Sequence, residues 1–155
     1  MLGDEVCETI IKDFFDREIW RKSATECGVL ETIEVDGEAM TVKLDTGNNT
    51  TVCALHADSH EVKGKVVHYK RNGKKYKKPL VRMVTLLKPA EERPIVKCEL
   101  NFLNTIYEQE VSLDQRGKIP FLANRDFMGR ANLMINPTRK FLLTNKHDDT
   151  DEDKA

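Results

Sequence analysis

The sequence predicts an all-β domain, a closed barrel or a sandwich, preceded by one helix. From residue 28 onward apolar residues alternate with polar ones, as in Met40, Val42 and Leu44, which is the period of a strand with one buried face. Two pairs typical of tight turns, Asp36-Gly37 and Asn72-Gly73, separate such segments. Several short strands with closely spaced turns indicate a barrel or a sandwich.

The first segment has a different period. Val6, Ile10 and Phe14 repeat at every fourth residue, as do Cys7, Ile11 and Phe15, which predicts an amphipathic helix over residues 4–22. This helix could pack on its own domain or on a partner subunit. Residues 1–27 are therefore interpreted as the helix and a linker, 28–145 as the barrel, and 146–155 as an acidic, disordered tail.

The individual strands follow from the alternation and the turn signals. They are predicted at residues 33–35, 40–44, 66–69, 75–80, 81–87, 96–102, 106–113 and 131–135, with one helical turn at 124–128 and residues 141–143 closing the domain.

Length and charge exclude several classes of protein. The chain has 155 residues, the usual length of one domain. Its 25 basic and 26 acidic residues give a net charge of −1, which excludes a basic surface over the whole chain for binding nucleic acid. It has no apolar run of about 18 residues, the length that a membrane span requires, and no secretory signal at its start. We expect no membrane partner.

The four cysteines, Cys7, Cys27, Cys53 and Cys98, form no C-x-x-C pair, and the four histidines form no H-E-x-x-H motif. This spacing predicts neither a zinc site nor any other metal site. Four reduced thiols are typical of a cytoplasmic protein.

Asp45-Thr46-Gly47 is the sharpest motif, because it follows an alternating strand and precedes a polar loop. An aspartic peptidase holds a carboxylate at the end of a rigid strand, with Thr fixing the loop and Gly allowing close approach of the backbone. Two such carboxylates share one proton, so that one activates water and the other protonates the substrate carbonyl. The triplet occurs once, so a dyad requires a homodimer. The same triplet is also an ordinary strand-to-turn sequence.

Seven blocks, in order along residues 28–143, resemble a family of bacterial and archaeal proteins. These are the retropepsin-like peptidases associated with RimK-type glutamate ligases, often called "ATP-dependent zinc proteases". The blocks are Leu44-Asp45-Thr46-Gly47, Ala54-Leu55-His56-Ala57, Pro79-Leu80-Val81-Arg82, Glu92-Arg93-Pro94-Ile95-Val96, Leu113-Asp114-Gln115-Arg116, Ile119-Pro120-Phe121-Leu122 and Asn136-Pro137-Thr138-Arg139-Lys140-Phe141-Leu142.

The resemblance implies a closed retropepsin-like (acid protease) β barrel with Asp45 as the catalytic carboxylate, Thr46 holding the loop and Gly47 completing the turn. It also implies an acidic, glutamate-rich peptide or a glutamate-tailed protein as substrate. No cofactor is expected, because the sequence shows no zinc-ligand set and no Gly-rich phosphate loop.

Two positions depart from the family pattern. Asn48 stands where a small Ala or Ser is usual, and Asn124, before Arg125, stands where Gly is usual. Both add polar bulk near Asp45, while Asn tolerates left-handed backbone geometry. The departures leave two interpretations open, an altered specificity and a loss of activity.

A basic run around Asn72-Gly73 contains no acidic residue between Lys63 and Arg82. In retropepsin-like folds a hairpin after the catalytic strand covers the site as a flap, so this hairpin is a candidate flap that attracts acidic peptide. Protection of an exposed sheet edge and RNA binding are the other interpretations. The candidate flap residues are Tyr69, Lys70, Arg71, Lys74, Lys75 and Tyr76.

A histidine and four arginines of the family blocks are candidates for supporting roles. His56 either bonds near the active site or is structural. The arginines either clamp a substrate carboxylate or hold loops by pairing with Asp114 or Asp126; they are Arg82, Arg93, Arg116 and Arg125. Loop holding is favoured for Arg116 and Arg125.

The sequence thus predicts an aspartic peptidase that forms its dyad in a homodimer. The alternative is a catalytically inactive module of the same fold that binds an acidic peptide, RNA or a partner protein.

Overall fold

The computed structural model describes residues 3–87, 90–115 and 117–147. Strands make up 53% of it. The elements are α1 (Asp4–Ser23), β1 (Thr25–Gly28), β2 (Leu30–Val35), β3 (Glu38–Leu44), β4 (Cys53–His56), β5 (Ser59–Lys63), β6 (Val66–Arg71), β7 (Lys74–Pro79), β8 (Arg82–Leu87), β9 (Ala90–Phe102), β10 (Thr105–Asp114), β11 (Phe121–Ala123), α2 (Arg125–Arg130) and β12 (Leu133–Asn136).

Six strands close into a barrel. The order around the ring is β10-β4-β11-β3-β2-β9, and β9 pairs again with β10. Closure removes the free edges that an open sheet would leave. The prediction of an all-β barrel with an N-terminal helix is confirmed. β8 extends the sheet outward from β9, β5-β6-β7 form a separate three-stranded sheet, and β1 pairs with β12 in parallel.

The two predicted tight turns are confirmed by the backbone. Asp36 and Gly37 have φ values of 49° and 82°, and Asn72 and Gly73 have values of 51° and 80°. Positive φ at both central residues is the geometry that matches the twist of a two-residue hairpin. These turns join β2 to β3 and β6 to β7.

The inward-facing residues of the strands form one core. Its largest side chains include Phe102, Phe121 and Phe127, and the rings of Phe102 and Phe127 meet edge to face with centroids 6.0 Å apart. Three thiols, those of Cys27, Cys53 and Cys98, are buried with them. Burial raises the pKa of each to about 12.

A buried carboxylate holds the last described segment against the barrel. Glu31 on β2 is fully buried and accepts hydrogen bonds from the backbone N–H groups of Gly28, Leu142, Leu143 and Thr144 at 2.7–3.3 Å. The Thr144 hydroxyl donates to it at 2.7 Å. Residues 141–143 are therefore bound to β2 by this acidic side chain and by the hydrogen bond from the Phe141 N–H to the Leu30 carbonyl, and they do not form a strand.

The first helix stands apart from the barrel. It runs over Asp4–Ser23, close to the predicted 4–22. Among its described side chains, six large apolar ones between Val6 and Ile19 are 48–66% exposed, so these six are not buried on the barrel. Among the described residues, none of the helices is both long and apolar enough to cross a membrane.

The predicted domain boundaries stay predictions. β1 begins at Thr25, before the expected start of the barrel at residue 28. Of the predicted acidic tail, residues 148–155 lie outside the described part of the chain.

Candidate active site

Asp45 lies at the end of β3, where the strand leaves the barrel. Its backbone N–H donates to the Ala123 carbonyl at 3.0 Å, and its own carbonyl accepts from the Asn48 N–H at 3.0 Å. Its carboxylate oxygen Oδ1 accepts a hydrogen bond from the Gly47 N–H at 3.1 Å. The carboxylate is therefore held at a fixed place by the loop that follows it, as the motif predicts.

Gly47 lies close to this carboxylate. A Cβ at position 47 would be 3.3 Å from Asp45 Oδ1, so any side chain there would press on the oxygen that the Gly47 N–H binds. The small size of glycine thus permits the close approach of backbone to carboxylate.

Arg125 fixes the same loop from the other side. Its Nε donates to the carbonyl of Thr46 at 2.7 Å, and its backbone N–H donates to the carbonyl of Asn48 at 2.9 Å. Arg125 therefore holds the loop, as favoured above, but through backbone carbonyls and not through an acidic side chain. Thr46 also contributes to the loop through its carbonyl.

Asn124 and Asn48 brace the loop instead of filling the space around Asp45. Buried Asn124 caps α2 by accepting from the Phe127 N–H at 2.9 Å, and its amide donates to the Thr50 carbonyl at 2.9 Å. The Asn48 side-chain oxygen accepts from the hydroxyl of Thr50 at 2.6 Å. Asn124 thus ties the loop at residue 50 to α2, while the Asn48 side chain bonds to Thr50 and Val52 within the loop itself.

Cys53 packs against Asn124, with its Sγ 3.5 Å from Asn124 Oδ1. Burial raises the pKa of this thiol to about 12. It is therefore neutral at physiological pH and is not a nucleophile.

A groove of about 370 Å³ adjoins the loop that follows Asp45. One wall is the segment from Asn48 to Ala54, and the other is made by β8, Arg93 of β9 and Asp114 of β10. Arg82 lies in this groove and its Nη1 donates to Glu110 at 2.6 Å. Arg82 therefore lies beside the loop that follows Asp45, and its guanidinium is already paired with Glu110.

Arg93, a sequence candidate for clamping a substrate carboxylate or holding a loop, lines the groove together with Asp114. Arg93 Nη2 is 3.4 Å from Asp114 Oδ1, both side chains are mostly buried, and Arg93 Nε is buried without a hydrogen-bond partner among the described residues. The pairing of β9 with β10 brings the two residues together. Arg116 lies outside the described part of the chain.

The candidate flap hairpin, β6-β7, packs on the opposite end of β3. Arg71 is buried, donating from Nε to the His56 carbonyl at 2.8 Å and from Nη1 to Glu38 at 3.2 Å. The Tyr76 hydroxyl donates to Glu38 at 2.6 Å. Glu38 begins β3 and Asp45 follows its end, so these anchors lie roughly 20 Å from the carboxylate at the usual rise of a strand.

The hairpin next to the Asp45 loop is instead β8-β9. Within one chain the structure does not bring Tyr69, Arg71 and Tyr76 together with Asp45. Burial raises the pKa of Tyr69, and burial with the hydrogen bond to Glu38 raises that of Tyr76. Lys70, Lys74 and Lys75 are exposed on the same sheet. A role for these residues at the active site stays a prediction.

His56 also lies away from Asp45, at the far end of β4. Its Nδ1 is buried without a hydrogen-bond partner among the described residues, and its Nε2 is 3.7 Å from Asp58 Oδ1. The structural interpretation of His56 fits this position better than a role beside the carboxylate.

The part of the chain that the structure describes contains no group of three or more His, Cys, Asp or Glu residues arranged to hold a metal ion. The donor set that a zinc centre would use is thus not assembled there.

The barrel is a known fold. It is similar to the crystal structure of a protein of unknown function (DUF785) from Legionella pneumophila subsp. pneumophila str. Philadelphia 1, with a TM-score of 0.62 and 21% sequence identity. The match covers 77% of this chain and 98% of that chain. At this identity the similarity establishes the fold alone.

No family model matches the sequence, and no curated protein matches it. The resemblance of the sequence blocks to retropepsin-like peptidases therefore stays a prediction, carried by the blocks and compatible with the barrel.

Proposed function

We propose that the protein is an aspartic peptidase whose catalytic carboxylate is Asp45. The observation that carries this proposal is the carboxylate at the end of β3, bound by the Gly47 N–H at 3.1 Å in a loop that Arg125 and Asn124 fasten to the barrel. Such positioning is what a carboxylate needs to act on water without reorganising.

The chemistry requires two chains, because the sequence contains one Asp-Thr-Gly triplet. Asp45 and Asp45 of the partner subunit would share one proton, since two carboxylates about 3 Å apart cannot both ionise. The ionised member takes a proton from water, which attacks the peptide carbonyl, while the protonated member donates to the carbonyl oxygen. The C–N bond of the resulting tetrahedral intermediate then breaks as the first carboxyl gives its proton to the leaving nitrogen. The second carboxylate takes a proton back from a hydroxyl of the intermediate, which restores the dyad and leaves an acid and an amine as products. Water is the nucleophile, so no covalent intermediate with the protein forms.

Acidic peptide is the proposed substrate class. The outer face of β5, β6 and β7 carries four exposed lysines, Lys63, Lys70, Lys75 and Lys77, and Lys63 pairs there with Glu61 at 3.7 Å. A face of one sign raises the local concentration of a ligand of the opposite sign. A glutamate-rich chain, the substrate that the resemblance implies, has that sign.

A binding module without catalysis is the second candidate, favoured by the same basic face and by the braced loop. The side chains of Asn48 and Asn124 both tie residue 50 in place. A loop fixed in this way can serve a binding surface as well as a catalytic one. In this candidate the lysine face holds an acidic partner, and RNA would compete for it.

The deciding experiment compares the wild type with Asp45→Asn on an oligo-α-glutamate-tailed peptide, read by mass spectrometry from acidic to neutral pH. We expect cleavage by the wild type and a cleavage rate at least about 10³-fold lower in the variant, because the amide of asparagine cannot accept the proton from water. The matched control is Glu99→Gln, which removes an exposed carboxylate elsewhere on the barrel.

Equal cleavage by Asp45→Asn and wild type would contradict the proposal. Binding of the acidic peptide by a folded dimer that cleaves neither it nor a panel of neutral peptides would favour the binding module.

A further inference from the structure

The outer face of the β5-β6-β7 sheet forms an open depression of about 520 Å³. Paired residues of neighbouring strands point to the same side of a sheet, and successive residues of a strand alternate between its two sides. By this register the outward residues that line the depression include Ser59, Glu61, Lys63, His68, Lys70 and Lys75. The depression is therefore a surface of the sheet, on the side away from the barrel core.

Cationic side chains occupy two consecutive levels of this face. Lys70 on β6 lies directly opposite Lys75 on β7, and two residues along the strands His68 lies opposite Lys77. Like charges in directly opposed pairs destabilise a sheet. The Lys70–Lys75 pair therefore lowers the stability of the free protein, and an anion lying between the two ammonium groups would restore it.

The inward cations of the same hairpin have acidic partners within the chain. Arg71 pairs with Glu38 at 3.2 Å, and Lys78 pairs with Asp36 at 2.6 Å. The outward lysines of β6 and β7 have no acidic partner among the described residues, and the outward lysine of β5 has one at 3.7 Å. The charges that face the barrel are thus neutralised, while those of β6 and β7 on the outer face are open to an external anion.

The arrangement of the cations suits an extended acidic peptide. Alternate residues of a strand are about 6.6 Å apart, so carboxylates on alternate residues of such a peptide recur at the spacing of the two levels. The tyrosines of these strands point inward, since Tyr69 is 3% exposed and Tyr76 packs against the core. Single-stranded nucleic acid is typically bound by stacking of bases on aromatic side chains, so the face favours an acidic peptide over RNA.

We propose that the outer face of β5-β6-β7 is a docking site for an extended acidic peptide segment, separate from Asp45. The inference rests on the proposed function in one respect, that the docked segment belongs to the substrate. Within one chain, the contacts of the β6-β7 hairpin with Glu38 lie roughly 20 Å from Asp45. An extended chain advances about 3.3 Å per residue, so at least about six residues separate the docked segment from the scissile bond.

The first test measures binding without cleavage, by fluorescence anisotropy of labelled octa-α-glutamate at low ionic strength, with every variant made in the Asp45→Asn protein. Lys70→Glu combined with Lys75→Glu should weaken binding by at least about tenfold, because repulsion replaces attraction at both positions. The matched control is Lys12→Glu with Lys97→Glu, which makes the same change of net charge at exposed lysines of α1 and β9. The control should bind as tightly as the parent protein.

Three results of this test would overturn the proposal. They are an absence of binding by the parent protein, binding that the two substitutions on the face leave unchanged, and an equal loss in the control pair. Octauridylate is measured under the same conditions. Binding of octauridylate at least about tenfold tighter than that of octa-α-glutamate would assign the face to nucleic acid instead.

A second measurement separates a binding role from a structural one. Lys75→Gln removes the like-charge pair with Lys70, so the free protein should unfold at a temperature about 1–3 °C higher. Its affinity for octa-α-glutamate should fall at the same time. A lower unfolding temperature together with weaker binding would indicate that Lys75 supports the sheet, and would contradict the proposal.

Kinetics with Asp45 intact distinguish a failure of this inference from a failure of the proposed function. For a substrate whose glutamate segment lies more than about six residues from the scissile bond, Lys70→Glu with Lys75→Glu should raise KM about tenfold and leave kcat unchanged. Cleavage with an unchanged KM would contradict docking and leave the peptidase standing. Docking of octa-α-glutamate by a protein that cleaves no peptide would overturn the proposed function and leave the docking site standing.

Discussion

Two buried polar side chains, Glu31 and Asn124, tie together segments that are far apart in the chain. Glu31 accepts from four backbone N–H groups and one hydroxyl, and four of these five groups are more than 110 residues away. Asn124 joins α2 to the loop after Asp45. Each satisfies backbone groups that would otherwise be buried without partners.

Replacing Glu31 tests the first of these ties. In Glu31→Gln one oxygen becomes an NH₂ group that faces backbone donors, so we expect the free energy of unfolding to fall by about 2–4 kcal/mol. Urea unfolding followed by circular dichroism measures it. Glu34→Gln, an exposed residue of the same strand, should change the stability by less than about 0.5 kcal/mol. Equal effects of the two changes would contradict the anchoring role.

Asn124 is tested by Asn124→Ala and Asn124→Ser. Alanine removes the cap of α2 and the bond to Thr50, so a loss of about 1–2 kcal/mol is expected. Serine can still cap the helix but is too short to replace the bond to Thr50, so it should recover part of the loss. Thermal unfolding measures both variants, and serine as damaging as alanine would show that capping contributes little.

Among the elements, β6 and β7 are held to the barrel by buried Val67 and Tyr69, which belong to its hydrophobic core, and by a few polar contacts. Buried Arg71 bonds to His56 and Glu38, Tyr76 bonds to Glu38, and Lys78 pairs with Asp36 at 2.6 Å. The rings of Tyr69 and Tyr76 stack with centroids 5.0 Å apart. The lysines at the turn are left free to face solvent.

Arg71→Gln should therefore loosen this sheet. The substitution removes a hydrogen-bond donor from both the His56 carbonyl and Glu38. Because water can partly replace the donor at Glu38, which is partly exposed, we expect the free energy of unfolding to fall by only about 2 kcal/mol. Hydrogen exchange should show faster opening of β6 and β7 than of β10. Lys74→Gln, at an exposed position of the same hairpin, is the control. Uniform acceleration over the whole barrel would contradict the local role.

At the scale of the whole molecule, three of the four thiols are buried in the protein interior. Burial raises the pKa values of Cys27, Cys53 and Cys98 from 9.0 to about 12. Only Cys7 is partly exposed. The native protein should therefore react with a disulfide reagent at one site at pH 8, and the unfolded protein at all four.

The same burial predicts a pH dependence of stability. Above about pH 9 the unfolded chain releases its thiol protons while the folded chain keeps them, so the free energy of unfolding falls as pH rises from about 9 towards 12. Replacing the three buried cysteines with alanine should reduce this slope. Urea unfolding at pH 8 and pH 10.5 measures it, and an unchanged slope would contradict the assignment to the thiols.

Much of the fold was predictable because its signals are local. Alternation along β3, β9 and β10 and the turn pairs Asp36-Gly37 and Asn72-Gly73 depend on neighbouring residues only. Four strands, β1, β4, β5 and β11, were missed, and three of them contain only three or four residues, too few to show clear alternation. The partners of β1 and β11 are distant in sequence: β1 pairs with β12, and β11 with β3 and β4.

The candidate site likewise combines features that are local in the sequence with contacts between distant residues. Asp45, Thr46 and Gly47 stand in one local motif, and the sequence determined that the triplet follows a strand. Only the tertiary structure decided that Arg125 and Asn124 brace its loop, that Arg93 and Asp114 meet in the groove beside it, and that the basic hairpin packs on Glu38 at the other end of β3. These contacts join residues far apart in the chain, and their partners depend on how the barrel closes.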